Sequence, residues 1–295
     1  MSMVSEASSR RLTLGYLVSH YGFELAPGFA SGVTITSLAD RLESVRPGAL
    51  YIPAGQVDLA QIEQAQAQGA YAALVPPAMR GHVGNPELPI LFGQPSAQQM
   101  GAMAAEMAGS ASDTLAIFAI CGHDPDEVQA NALRLSDFLH MLGNPVGLIS
   151  AAGSSSLERK LELNYPLGIL DIQGLMSVCA EDGASAVVVA LDQQTLRPNS
   201  LQSVTIDVLG CQGRPVMYKR RELVSKTAAH YGFEADKDLS LTLRTDESDA
   251  MADQTTVVYD ADSRGHLSLS IAMVLAAGVR KSSIKGALRV SRDLG

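Results

Sequence analysis

The feature that most constrains the fold is a series of short apolar runs, each followed by a segment with helical periodicity. Residues 186–191 read A-V-V-V-A-L, and residues 114–121 and 146–150 are similar, mostly apolar runs. A strand that is apolar on both faces is typical of a mainly parallel sheet that helices cover on both sides. The sequence therefore predicts an α/β fold.

The chain is expected to form two domains. Its 295 residues, of which 46% are hydrophobic, are enough for two separate cores. Residues 12–105 alternate short strands with helical segments, and the alternation resumes after the small, polar stretch 109–113. A stretch of this composition is typical of a linker. The predicted domains are therefore residues 1–108 and 109–295.

Charge and cysteine usage exclude several classes of protein. The formal net charge is -9, and the longest run of basic residues is the short K-R-R at 219–221, so nucleic acid and anionic membranes are not expected as partners. Cys121, Cys179 and Cys211 lie far apart without CxxC spacing, which favours reduced thiols in a cytoplasmic protein over a disulfide framework or a zinc site. The apolar stretch 268–279 is too short to span a bilayer.

A turn at residues 122–127 lies between an apolar strand and a helical pattern, where a nucleotide-binding protein would carry its phosphate loop. A phosphate loop needs glycines for close backbone approach, a Lys for the phosphates and a Ser or Thr for magnesium. The residues found in this turn are instead Gly122, His123, Asp124, Pro125, Asp126 and Glu127. Its three acids fit an N-cap and an acidic first helical turn; a metal or cationic-ligand site is the alternative.

Other reactive side chains show no shared spacing. Cys121, beside the turn, is interpreted as a buried strand thiol, with a nucleophile at a helix N-terminus as the alternative. The histidines at 123, 140, 230 and 266 are expected to have surface or hydrogen-bonding roles. No catalytic residue and no metal site is predicted.

Motifs along the whole chain resemble the Mur ligases, ATP-dependent amide ligases that extend the peptide of UDP-N-acetylmuramic acid. The likeness is greatest to the branch that adds the third peptide residue. Residues 32–53 are similar to that branch's G-x-T-x-D-S-R-x-V-x-P-G-D-L-F-V segment, and residues 54–75 are similar to the loop and helix that follow it. The resemblance implies a small N-terminal α/β domain followed by a mainly parallel, P-loop-NTPase-like central domain, in a bacterial cytoplasm and a cell-wall context.

The resemblance also assigns a ligand site in the first domain. Ser37, Gly55, Gln56 and Asp58 fall where the family binds the UDP end of its substrate. Leucines replace the family's Arg after Ser37 and its Gly after Asp58. The alternative to retained UDP-sugar binding is therefore a domain kept only for its shape.

The central domain departs from the family in its chemistry. The family's phosphate-loop lysine falls on Asp126 and the magnesium-binding Thr on Glu127, while its magnesium-binding Glu falls on Ala190 and its His on Gln194. Lys226 matches the carbamylated lysine only if a gap is allowed. Exchanging Lys for Asp about 4 Å from a phosphate turns an attraction of about 1 to 4 kcal/mol into a repulsion. Binding of ATP and magnesium is therefore expected to be lost.

The last helical segment resembles the end of the family's central domain, so the third domain of the ligases is expected to be absent. These departures predict a catalytically degenerate homologue that acts as an adaptor or regulatory subunit, with a protein partner and a UDP-linked muropeptide as a ligand. The alternative is one subunit of a split or repurposed amide ligase, in which another protein supplies the third domain. An unrelated activity based on His123 and Asp124 is a further alternative.

Overall fold

The computed structural model describes residues 12–55, 58–83, 87–212, 220–235, 239–254 and 261–293. The chain divides into two compact units between Ser110 and Ala111, within the stretch that the sequence interprets as a linker. Each unit contains its own mainly parallel sheet with helices against it. The predicted α/β class is confirmed.

The first unit contains seven short strands and three helices among its described residues. They are β1 (Leu12–Thr13), α1 (Leu14–Tyr21), β2 (Glu24–Ala26), β3 (Thr34–Ile35), β4 (Ser37–Ala39), β5 (Ala49–Tyr51), α2 (Leu59–Ala67), β6 (Ala72–Val75), β7 (Ile90–Phe92) and α3 (Ala97–Met107). The main sheet has the order β2-β7-β6-β5-β4, in which only β2 is antiparallel to its neighbour. β1 and β3 form a separate antiparallel pair.

Apolar residues on both faces of this sheet explain its helical cover. Leu50 and Leu74 pack in one cluster with α1 and α3, and Tyr51 and Val75 pack in the opposite cluster with α2. Ser96 caps α3 through a capping box with Gln99, which defines where that helix begins.

The second unit contains the larger sheet. Its described elements are β8 (Ala116–Cys121), α4 (Pro125–Met141), β9 (Val146–Ile149), β10 (Ser154–Ser156), β11 (Arg159–Leu161), α5 (Ile169–Glu181), β12 (Ala186–Leu191), β13 (Val208–Cys211), α6 (Arg220–Tyr231), β14 (Ser240–Thr242), α7 (Asp246–Ala252), α8 (Ala261–Ala276) and α9 (Lys281–Asp293). The strand order is β11-β10-β9-β12-β8-β13-β14, and β9, β12, β8, β13 and β14 are all parallel.

β12 lies at the centre of this sheet, as its composition predicts. All six of its side chains are buried. Val187 and Val189 pack in the cluster that includes α5, whereas Val188 and Ala190 pack in the cluster that includes α4 and α8. Because burial of each Val side chain contributes about 1.5 to 3 kcal/mol, this run fixes both layers of helices on the sheet.

Two boundaries differ from those that the sequence predicts. The pattern at 204–209 predicts a strand, but β13 begins only at Val208, because Asp207 accepts the N–H of Ile117 with its side chain (2.7 Å) and Thr205 makes only an isolated bridge. The run at 32–37 predicts one strand, yet it forms β3 and the start of β4, which belong to different sheets. No helix in the described ranges is both long and apolar enough to cross a bilayer.

Candidate functional site

The candidate site lies at the carboxyl ends of the parallel strands in the second unit. Ligands of open parallel sheets bind outside these ends, where the connecting loops meet. β8 leads into Gly122, β12 into Asp192, β13 into Gln212 and β9 into Ser150. The predicted turn at 122–127 is part of this edge.

The turn after β8 is closed by a carboxylate of the chain. Asp124 is the N-cap of α4, and its Oδ1 accepts a hydrogen bond from the Asp126 N–H at 3.0 Å. Pro125 occupies the first helical position, where a missing N–H costs nothing. Asp126 and Glu127 lie in the first turn, where their charges favour the positive end of the helix dipole. The capping interpretation of Asp124 is confirmed, and His123 and Asp126 are exposed.

Gln212 lies directly against Gly122. Its N–H donates to Cys121 O at 3.0 Å, and its Nε2 donates to Glu127 Oε2 at 3.1 Å. A Cβ on residue 122 would come within 2.7 Å of Gln212 Oε1 and within 2.9 Å of Val128 Cγ2. The end of the Gln212 side chain can move away, but Val128 is fully buried, so the contact with its Cγ2 favours glycine at this position.

Glu127 also contacts a histidine from a distant part of the chain. His266 of α8 places its Nε2 2.8 Å from Glu127 Oε2, and its side chain is only 15% exposed. Since α4 and α8 pack against each other on the sheet, the pair is positioned by the core. Glu127 Oε2 thus contacts two polar side chains, Gln212 and His266, from two other elements of the unit.

A second hydrogen-bond network fixes the loop after β12. Asp192 is 5% exposed, and its Oδ1 accepts the N–H groups of Gln194 (2.8 Å) and Thr195 (2.9 Å) and the Nε2 of Gln129 (3.2 Å). Its Oδ2 accepts the Thr195 hydroxyl at 2.8 Å. Thr195 Oγ1 in turn accepts the Ala151 N–H at 2.9 Å, which connects this loop to the one after β9. Both oxygens of this buried carboxylate are therefore engaged within the protein.

The other residues that the resemblance assigns to the nucleotide site are Ala190, Gln194 and Lys226. Each of them has a structural environment in the fold. Ala190 is fully buried in β12, and a methyl group is not a metal ligand. Gln194 Oε1 accepts Gln129 Nε2 at 3.0 Å. Lys226 lies on α6 with a side chain that is 75% exposed, and it forms an ion pair with Glu222 at 2.6 Å, as is typical of a solvated helix face.

The three cysteines are free and buried. Burial and a hydrogen bond to Cys211 raise the pKa of Cys121, whereas the same hydrogen bond lowers the pKa of Cys211. This environment favours the buried-thiol interpretation of Cys121 over the nucleophile. Among the described residues, no three His, Cys, Asp or Glu side chains form a group that could hold a metal ion.

The predicted UDP-sugar positions lie in the first unit and are spread along one strand pair. Ser37 begins β4 and pairs with Ala49, while Gly55 and Asp58 follow the carboxyl end of β5. Gly55 has a φ of 97°, and the Asp58 carboxylate caps α2 by accepting the Ala60 N–H at 3.0 Å. Ser37 Oγ is buried and has no hydrogen-bond partner in the described structure. Gln56 lies outside the described residues.

The sequence predicts a surface or hydrogen-bonding role for His266, which its contact with Glu127 confirms, but it does not place that residue beside the turn. Sequence reasoning missed Gln212, Gln129, Asp192 and Thr195. Only one local signal was present: the L-D-Q-Q-T segment after β12 places an acid three residues before a threonine, a spacing that favours side-chain capping of a turn. His266 and Glu127 are 139 residues apart, so no sequence pattern joins them.

The sequence matches no protein-family model, and no curated protein matches it. The fold, by contrast, is similar to solved structures of Mur ligases. MurF from Acinetobacter baumannii is 11% identical with a TM-score of 0.58, over 95% of this chain and 68% of that chain. A UDP-N-acetylmuramoyl-L-alanyl-D-glutamate–2,6-diaminopimelate ligase is 12% identical with a TM-score of 0.59, over 95% and 66%.

A further structure, the UDP-N-acetylmuramoylalanyl-D-glutamyl-2,6-diaminopimelate–D-alanyl-D-alanyl ligase from Acinetobacter baumannii, is 12% identical with a TM-score of 0.56, over 96% of this chain and 69% of that chain. The chain thus spans about two thirds of the length of each neighbour. These neighbours come from two steps of one pathway of ligases, so they do not distinguish the branch that adds the third residue. The likeness extends over nearly all of the chain, which has the fold of the N-terminal and central domains of Mur ligases.

Proposed function

We propose that this chain is a catalytically degenerate Mur-ligase-like protein that acts as a non-catalytic adaptor or regulatory subunit. The observation that carries the proposal is the turn between β8 and α4, which is filled by the chain's own groups. In this interpretation the fold is retained as a surface for a protein partner, whereas the nucleotide chemistry is not.

The turn has little capacity to bind an anion. A phosphate is bound at a helix N-terminus by backbone N–H groups that have no other partner. Here the Asp126 N–H already donates to Asp124, and Pro125 has no N–H to donate. A phosphate would have to displace a carboxylate that is held by its own chain.

The charges of the turn repel the phosphates of ATP. Asp124, Asp126 and Glu127 present three carboxylates where the phosphates of ATP would lie, and each close pair of like charges costs about 1 to 4 kcal/mol. Gln212, which lies beside Gly122, also donates to Glu127 and so ties one of these carboxylates to the turn. The residues present do not fit Mg-ATP.

In the described part of the chain, the end of β12, beside the turn, offers no free ligand for a magnesium ion. Ala190 has no ligand atom, and the nearest carboxylate along the chain, Asp192, is consumed by hydrogen bonds to Gln194, Thr195 and Gln129. A magnesium ion requires oxygen ligands in a near-octahedral arrangement. Using Asp192 for this purpose would dismantle the loop after β12.

A UDP-linked muropeptide is the proposed ligand of the first unit. Ser37 supplies the supporting observation, because a buried hydroxyl without a hydrogen-bond partner is costly unless a ligand or water satisfies it. A ligand phosphate or sugar hydroxyl beside β4 would do so. The Asp58 carboxylate already caps α2, so its contribution to such a ligand would be structural.

Calorimetric titration tests the proposal. The purified chain is titrated with UDP-N-acetylmuramoyl dipeptide, with Mg-ATP, and with both together. We expect heat from the muropeptide and none from Mg-ATP, and we expect the variant S37A to weaken muropeptide binding about tenfold, the effect of losing one hydrogen bond of about 1.4 kcal/mol. The variant S19A removes an exposed hydroxyl of α1 and serves as the matched control.

Hydrolysis of ATP by the chain alone, dependent on the muropeptide, would refute the proposal. Ligase activity that arises only with a co-purified protein would instead favour the split-ligase alternative. Absence of heat from either ligand would leave the adaptor role and remove the muropeptide. The three results are distinguishable because each depends on a different addition.

A further inference from the structure

Cys121 and Cys211 form a pair of thiols at the carboxyl ends of two adjacent strands. They are direct partners in the parallel register of β8 and β13. Both side chains point into the same apolar cluster, and each residue is 5% exposed. Cys121 immediately precedes Gly122 of the turn, and Cys211 immediately precedes Gln212, whose N–H donates to Cys121 O.

The register brings the two cysteines within disulfide distance. Neighbouring strands are separated by about 4.8 Å, and disulfides join Cα atoms that are about 4.4 to 6.8 Å apart. In-register residues on parallel strands also project to the same side of the sheet. Cys179, the third thiol, is on α5 and contacts Gly147 of β9, so it has no partner in this register.

The two thiols interact with each other. A hydrogen bond between them raises the pKa of Cys121 and lowers the pKa of Cys211. The Cys211 thiol also donates to Gln212 O at 3.6 Å. Of the two, Cys211 is therefore the thiol more readily deprotonated. This division is the one that a nucleophilic thiol and a resolving thiol require.

We propose that Cys121 and Cys211 are a redox-responsive dithiol, which a hydroperoxide converts into a disulfide between β8 and β13. In the first step the Cys211 thiol loses its proton and its sulfur attacks one peroxide oxygen. The O–O bond breaks, the departing hydroxide takes up that proton and leaves as water, and Cys211 becomes a sulfenic acid. In the second step Cys121 sulfur attacks the sulfur of Cys211, and the hydroxyl group leaves with the Cys121 proton as water. Two thiols and one hydrogen peroxide thus give one disulfide and two waters.

The disulfide would change the edge of the sheet that carries the candidate site. Gly122 and Gln212 directly follow the two cysteines and contact each other. A covalent bond between the preceding residues removes the freedom of β8 and β13 to separate there. Oxidation would therefore hold Gln212 over the turn, independently of whether the turn binds a nucleotide.

Mass spectrometry of the purified full chain tests this proposal. The protein is exposed to hydrogen peroxide, remaining thiols are alkylated, and the chain is cleaved after glutamate. Cleavage at Glu181 is essential, because trypsin leaves Cys179 and Cys211 on one peptide. We expect a loss of two hydrogens per chain and a linked pair of peptides, one ending at Glu127 and the other at Glu222, which dithiothreitol separates.

Variants provide the controls. C179S is expected to form the same link at an unchanged rate, whereas C121A and C211A are expected to form none. Should a variant fail to fold, the linked peptides of the wild-type chain decide the question alone. The proposal is overturned if the folded wild-type protein retains three alkylatable thiols after peroxide treatment, or if its crosslink contains Cys179.

Discussion

Replacement of Asp192 by Ala is expected to destabilise the second unit more than any exposed substitution. The carboxylate accepts four hydrogen bonds of 2.8 to 3.2 Å from Gln194, Thr195 and Gln129. It is 5% exposed, so water cannot replace these contacts without opening the loop. In the D192A variant the two N–H groups and the Thr195 hydroxyl lose this acceptor, and Gln129 Nε2 keeps only Gln194 Oε1.

The magnitude follows from the type of hydrogen bond. A bond to a charged group contributes about 1.5 to 3 kcal/mol, and a buried donor without a partner costs about 1 to 3 kcal/mol. These values are not additive, because the freed donors of Gln194 and Thr195 share one loop and partly rehydrate together. We expect D192A to lower the free energy of unfolding by about 3 to 5 kcal/mol, within the range of broken buried networks. We expect D192N, which keeps Oδ1 as an acceptor, to cost about 1 to 2 kcal/mol.

Urea unfolding and amide hydrogen exchange together provide the assay. Because the chain has two units, the exchange data assign the change: protection of the Gln194 and Thr195 amides is expected to disappear in D192A. The variant D253A is the matched control, since Asp253 is 57% exposed and its ion pair with Arg264 spans 3.5 Å; its effect is expected to be below about 0.5 kcal/mol. Retained protection of both amides in D192A, or a loss no larger than that of D253A, would refute the reasoning.

Two further predictions concern the second unit. The variant G122A is expected to cost about 1 to 3 kcal/mol, because its Cβ would contact Gln212 and Val128 at less than 3 Å. The double variant G122A/Q212A should be less destabilised than the sum of the two single variants, and additivity would contradict the steric explanation. Burial raises the pKa of Tyr231 from 10.0 to about 12, so the neutral phenol is favoured in the folded state. Its contribution of about 2 kcal/mol is complete below pH 10 and is lost as the pH rises to 12. Urea unfolding from pH 9 to pH 12 should show a smaller decline in Y231F than in the wild type and the half-exposed control Y71F. A residual decline is expected in Y231F, because burial also raises the pKa of Tyr21 and Tyr165.

The fold was predictable because its determinants are local. The A-V-V-V-A-L run specifies a strand that is buried on both faces, and β12 is such a strand at the centre of its sheet. Asp124 as an N-cap and Pro125 at the first helical position similarly predict where α4 begins, and both signals lie in adjacent residues. A strand boundary that depends on a residue far along the chain could not be predicted. The side chain of Asp207 accepts the Ile117 N–H, so the strand predicted from residue 204 begins only at Val208.

The candidate site was predictable only in part, for the same reason. The turn at 122–127 was found from its composition, since its acids are contiguous. Its partners were not found, because Gln212 and His266 reach Glu127 only after β13 and α8 have packed beside β8 and α4. A lone glutamine and a lone histidine are common surface residues, and nothing in their immediate neighbours distinguishes them.

The contact of Gln212 with Gly122 and Glu127 also bears on how such a turn evolves. A mutation of Asp126 to Lys would introduce an ammonium group. Asp124 would still cap the helix, and the Gln212 side chain would still lie beside Gly122. Mutation of Gln212 alone would leave the acids in place and deprive Glu127 of one of its donors. No single one of these substitutions would therefore convert the turn into a phosphate loop; several would have to be made together, and their effects would be coupled through Gln212 and Glu127.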